Sequence, residues 1–180
     1  MGSWKPIVNR SFTPPSFADY VATLDFSAWR PEFVVLHNTG APRLADWHRA
    51  PGEQRLRNLE TFYRDQRHWS AGPHLFIADD LIWVFTPLTA PGVHSPSWNH
   101  VSWGVEMVGD YATEPLNSGV MANTAAALAV LYRAINRPPA SLRLHREDPL
   151  TTHACPGTNV DKQTMIALVE SRLVSEQITV

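Results

Sequence analysis

Residues 32–40 read EFVVLHNTG, a β-branched and aromatic run that gives way to histidine, asparagine, threonine and glycine. A short, continuous apolar run bounded by turn residues suits a buried strand, and its polar end marks where the chain leaves the sheet. Upstream, residues 1–30 mix Pro14 and Pro15 with Phe12, Phe17, Tyr20, Phe26 and Trp29, and Pro31 follows, which predicts an irregular arm with one helical turn, packed on the rest. Downstream, 41–52 holds two prolines and a glycine and reads as a surface loop. Over 53–67, Leu56, Leu59, Phe62 and Tyr63 recur at helical spacing among charges, the pattern of an amphipathic helix.

The next segments extend the sheet. HLFIADDLIWVF (74–85) predicts a hairpin whose arms, 73–78 and 81–86, are joined by Asp79 and Asp80. SWGVEMV (102–108) alternates like a strand and is closed by Gly109 and Asp110. Met121, Ala125, Leu128, Tyr132 and Ile135 step by three or four through an alanine-rich helix, which Pro138 and Pro139 stop. SLRLH (141–145) is a further strand, followed by a loop and a last helix over Val160, Thr164, Val169 and Leu173, with Thr158 or Asn159 as its N-cap. Strands interspersed with helices predict an α/β fold: a single domain over 1–180, with a central mixed β-sheet flanked on both faces by about three helices.

Composition narrows the function. A chain of 180 residues, 44% of them hydrophobic, is long enough for one domain with a real core. Fifteen basic against 17 acidic residues leave a net charge of −2, too little positive field for a nucleic-acid partner. A single cysteine allows neither an internal disulfide nor a Cys-x-x-Cys site. No run of ~18 apolar residues or secretory leader is recognisable, and Pro6 stands where a myristoylation signal needs Ser or Thr. The expectation is a cytoplasmic monomer with no membrane anchor.

His37 and His145 end predicted strands, and Cys155 follows in the next loop. Two imidazoles and a thiolate suffice for a catalytic Zn2+, one per chain, with the fourth position open. The same residues leave other readings open: packed or surface histidines, or a cysteine hydrolase pairing Cys155 with His153 or His145. Glu106 lies inside an apolar strand, where an unpaired carboxylate is expensive to bury. Placed near metal-bound water it could act as a base, its pKa raised by Val105 and Met107.

Four blocks occur in order: FVVLHNTG (33–40), WSAGPHLFIADDLIWVF (69–85), GVHSPSWNHVSWGVEMVGDY (92–111) and LRLHREDPLTTHACPG (142–157). Together they resemble the zinc-dependent N-acetylmuramoyl-L-alanine amidases, the family shared with phage lysozyme-type amidases and peptidoglycan recognition proteins. The resemblance implies that His37, His145 and Cys155 hold zinc, that Glu106 is the catalytic acid/base, and that His153 assists at the oxyanion, where many relatives carry lysine. His74, His94, Trp98 and Asn99 fall on groove-lining positions expected to hold substrate. Pro73 replaces a tyrosine frequent in relatives, leaving the base role to Glu106 alone, and Asn38 replaces a frequent histidine. His48, His68 and His100 match no partner pattern and are expected at the surface or in hydrogen bonds.

The implied reaction is hydrolysis of the amide between N-acetylmuramic acid and the L-alanine of the stem peptide. The substrate is peptidoglycan or a muropeptide, and the implied role is that of a phage or prophage endolysin acting on the cell wall after release. The alternatives are a cytosolic amidase that recycles muropeptides and a binding protein without catalysis.

Overall fold

A computed structural model describes residues 3–177. Its strands are β1 (Arg10–Phe12), β2 (Phe33–Asn38), β3 (Leu75–Ile77), β4 (Ile82–Val84), β5 (Ser102–Met107) and β6 (Arg143–Leu144). They form one mixed sheet in the order β1-β4-β3-β5-β2-β6. β2 runs parallel to both β5 and β6, and β3 parallel to β5, while β4 is antiparallel to β1 and β3. The helices are α1 (Pro14–Ala22), α2 (Leu44–Trp47), α3 (Gly52–Thr61), α4 (Ser118–Ile135) and α5 (Lys162–Gln177).

The α/β class and the mixed sheet are as expected, but the described residues hold five helices where about three were predicted. One addition is α1. Pro14 and Pro15 occupy its first turn, where a missing N–H leaves no hydrogen bond unmade, so prolines that suggested irregular chain instead start a helix. The arm also contributes β1 to the sheet edge, and Trp4 Nε1 donates to Glu60 Oε1 at 2.9 Å. The other addition is α2, within the predicted surface loop, which carries the buried Trp47. The helix expected over 53–67 is α3, whose end widens into a π-turn at Phe62–Gln66.

Caps explain the ends of the later elements. Asn117 Oδ1 accepts the N–H groups of Gly119 and Val120 at 2.8 and 3.0 Å, starting α4 earlier than the apolar spacing suggested. Asn136 closes that helix with a left-handed φ of 53°. α5 is capped not by Thr158 or Asn159 but by Asp161, whose Oδ1 accepts the Thr164 N–H at 2.7 Å. Asn159 is used elsewhere, with its Nδ2 donating to the Glu114 carbonyl at 2.8 Å. In the hairpin, the Ala78 N–H reaches the Leu81 carbonyl at 3.0 Å across Asp79 and Asp80, the predicted two-residue turn.

Strand alternation gives the sheet two unlike faces. Val34, Leu36, Leu75, Ile77, Val105 and Met107 share one apolar core with residues of α1, α4 and α5. Each large side chain buried there stabilises the fold by about 1.5–3 kcal/mol. On the opposite side, Phe76, Trp83 and Phe85 pack with Trp47, Leu56 and Tyr63, and this smaller core stops short of β2. By length and composition alone α4 could cross a membrane, yet eleven of its 18 residues are buried inside the protein. That burial makes it a core helix here.

Candidate metal centre and active site

Parallel pairing sets His37 of β2 opposite Glu106 of β5, and Glu106 in turn opposite Phe76 of β3. On the far side of β2, Leu36 pairs with Leu144, so the next residue, His145, comes to lie beside His37 with ring centroids 4.3 Å apart. The row therefore runs from an aromatic core into two imidazoles. Cys155 reaches it from the following loop. Arg146 ties that loop down: its N–H donates to the Cys155 carbonyl at 2.8 Å, and its guanidinium donates to the carbonyls of Gly157 and Val160 at 2.7 and 3.0 Å.

One ligand atom each from His37, His145 and Cys155 lie within 4.8 Å of one another. Cys155 Sγ stands 3.8 Å from His37 Nδ1 and accepts the Asn38 N–H at 3.4 Å, so Asn38 supports the cluster through its backbone. His145 Nε2 is buried without a hydrogen-bond partner among the described residues, and so is Glu106 Oε2. Buried polar atoms left unpaired are costly, and a cation with its bound water would satisfy both. Burial, then the neighbouring His94 and His145, hold the His37 pKa well below the usual imidazole value, which keeps that ring neutral. Burial also lowers His145, with His153 adding to the effect. Two neutral imidazoles and a sulfur are a donor set that fits Zn2+.

Burial pushes the Cys155 thiol up, and the Glu106 charge adds to it. Without a cation the sulfur is a protonated thiol, a poor nucleophile, which argues against the cysteine-hydrolase reading. A bound divalent ion reverses this by stabilising the thiolate. Glu106 is pushed up to about 8 by burial, with Oε1 4.0 Å from His37 Nδ1. It is poised to exchange a proton near neutral pH.

The remaining predicted residues divide. His153 is exposed with its ring 5.9 Å from that of His145, at the mouth of a cavity of about 340 Å³. His94 and Asn99 line that cavity. His74 does not: it is fully buried, its Nε2 donating to the Ala90 carbonyl at 3.0 Å and its Nδ1 accepting the Gly104 N–H at 3.0 Å. Trp98 packs edge-on against Phe33, with ring centroids 5.8 Å apart, and also lies outside the cavity lining. His74 is thus held inward by its hydrogen bonds, whereas Trp98 stays half-buried beside Phe33. His48, His68 and His100 are exposed, and His48 Nε2 bonds Asp79 Oδ1 at 2.7 Å.

Several contributors were not anticipated. Arg67 and Trp69 line the cavity, the guanidinium 5.5 Å from the indole centroid. Tyr63, on the π-turn, has its pKa raised first by burial and then by the Glu106 and Cys155 charges, so its phenol shares their field. Asp148 joins the loops bearing His94 and His145, accepting from Ser95 Oγ and Ser97 Oγ, each at 2.5 Å. Burial pushes its carboxyl up, but these bonds outweigh that and bring it to about 2. The only signal for this clamp was the pair of serines near His94, and serines are too common in loops to be informative.

The chain and its fold are similar to known proteins. The sequence model of the N-acetylmuramoyl-L-alanine amidase family matches residues 27–158. Peptidoglycan-recognition protein SC2 of Drosophila simulans is 25% identical over 132 residues, covering 71% of this chain and 69% of that protein. Among solved structures, the fold resembles N-acetylmuramoyl-L-alanine amidase LysC from Clostridium intestinale URNW, with a TM-score of 0.64 and 24% identity over 78% of this chain and 86% of the other. It also resembles the Ph2119 endolysin from the Thermus scotoductus MAT2119 bacteriophage, with a TM-score of 0.61 and 24% identity over 81% and 88% of the two chains.

Proposed function

The chain belongs to the N-acetylmuramoyl-L-alanine amidase family, and from that premise we propose that it hydrolyses the amide between N-acetylmuramic acid and the L-alanine of the stem peptide, using one zinc ion held by His37, His145 and Cys155. The observation that carries this reading is the convergence of those three donors beside a carboxylate whose pKa lies at about 8. When bound, zinc supplies a Lewis acid for the scissile carbonyl and lowers the pKa of its water towards ~7.

The chain's own residues do the rest. His37, buried, and His145, half-buried, both have pKa values lowered by desolvation and offer lone pairs to the metal. Glu106 accepts a proton from the attacking water and returns it to the departing alanine nitrogen, a role suited to a carboxyl that titrates near neutrality. His153, exposed beside His145, is placed to donate a hydrogen bond to the oxyanion. The cavity bordered by Arg67, Trp69, His94 and Asn99 offers an aromatic face and polar groups to a sugar and peptide.

Mixing the protein with purified peptidoglycan and measuring newly freed alanine amino groups tests the proposal. Release that stops on chelation and returns with Zn2+ supports it; release that persists after the metal has been stripped overturns the zinc mechanism. Binding without release would instead make the protein a peptidoglycan-binding module. The likeness to the bacteriophage protein supports an endolysin role, acting on the cell wall. Intact sacculi are then cleaved faster than soluble muropeptides, and the opposite preference assigns the enzyme to muropeptide recycling.

A further inference from the structure

A carbonyl oxygen can only accept a hydrogen bond, and His94 Nε2 lies 3.3 Å from the carbonyl of Ser102. That nitrogen therefore carries a proton. The ring is buried, and a neutral imidazole whose proton sits on Nε2 holds a lone pair on its other nitrogen, Nδ1. Nδ1 faces His37 Nε2 at 3.2 Å, with the two rings nearly perpendicular at 89°. A lone pair there requires the proton of the pair to reside on His37 Nε2. His37 Nδ1 is then bare, and it is the atom 3.8 Å from Cys155 Sγ.

We propose that His94 is a positioning residue: by taking the Nε2 proton of His37 and anchoring its own to Ser102, it holds His37 in the one neutral tautomer that offers Nδ1 to a metal. This rests on the zinc reading above. The arrangement is built rather than incidental. A Cβ at Gly104 would run into the His94 ring near its root, so the glycine on β5 is what lets that ring lie over the sheet. Asn99 Oδ1 accepts the N–H groups of His94 and Ser95 at 2.7 and 2.8 Å, and the Asp148 clamp fixes the same turn to the His145 loop. Backbone and side chain are thus both held, as an orienting partner of a metal ligand requires.

Two measurements test this. In metal-free protein labelled with 15N, imidazole correlation spectra report which nitrogen of His37 is protonated; Nε2–H is expected, and Nδ1–H overturns the proposal. Titration with Zn2+ then compares variants. His94→Phe keeps a ring but has no acceptor, and should bind 10–100-fold more weakly. His94→Asn keeps an acceptor oxygen close to the Nδ1 position and should recover most of that loss. A merely structural role would show no such dependence on the acceptor. Wild-type affinity in His94→Phe overturns the positioning role alone, whereas failure of the wild-type protein to bind Zn2+ overturns the metal reading and this role with it. Should His94→Phe not fold, the wild-type tautomer and the Asn variant still decide the matter: Asn binding as weakly as Gly104→Ala, which displaces the ring, counts against the proposal.

Discussion

Towards α1, α4 and α5, the central strands present Val34, Leu36, Val105 and Met107, a surface with no side-chain polar atom to satisfy. Towards the other side the same two strands present His37 and Glu106, which register sets opposite each other. The contrast shows how the fold divides its work. One face supplies stability through apolar burial, and the other holds desolvated polar groups, Glu106 Oε2 among them without a partner, which the proposed metal and substrate would use. Burial is nearly equal on the two sides, but its effect differs: on one it removes apolar surface from water, and on the other it shifts pKa values.

The strongest way to break this contrast is at the ligands. Cys155→Ala or His145→Ala should abolish metal retention and turnover while leaving the far face packed, and a variant that keeps one zinc per chain by elemental analysis contradicts the ligand set. Glu106→Gln should retain metal and lose about 10²–10⁴-fold in turnover, the usual contribution of a positioned acid/base. Near-normal rates would remove Glu106 from the chemistry.

On the apolar face, Leu128→Ala should cost about 2–5 kcal/mol in denaturant unfolding through the cavity it leaves. Zn2+ affinity of the folded variant should not change; a parallel loss would show that the two faces are coupled. The smallest effect sharpens the distinction by pH. The Glu106 carboxyl has a folded pKa of about 8, above its ordinary value of 4.5, so the folded metal-free protein keeps a proton that the unfolded chain has already lost. Stability of that form should therefore fall as pH rises from 4.5 to 8, by on the order of 2–3 kcal/mol at neutral pH. Glu106→Gln should flatten this slope, and an unchanged slope in chemical denaturation assigns the titration to another group.

Much of the site was legible along the chain. His37 and His145 stand at the ends of apolar runs, and runs of that kind predict strands because their apolar residues gain by leaving water. Glu106 was conspicuous as a carboxylate within such a run. The prolines of the arm misled, because Pro14 and Pro15 break a helix interior but suit a helix start, and which applies depends on what the helix packs against. His74 and Trp98 raise a related point: a histidine or tryptophan near a groove motif looks the same in sequence whether it lines the cavity or, as here, lies outside its lining. Asp148, Tyr63 and Arg67 left no local trace, since their importance comes from neighbours distant in sequence.

From sequence alone came the strands, the residue types at their ends and hence the chemistry available: nitrogen and carboxylate donors on or at the end of strands of one mixed sheet, and a sulfur in the loop that follows. Only the tertiary structure decided which face each strand turned towards the site, which nitrogen of His37 points inward, and how far burial raises Glu106. The division has a physical origin. Local periodicity reports that side chains alternate, but a shift of pairing by one residue exchanges the two faces. Register is settled by long-range packing, and desolvation is a property of everything that surrounds a group.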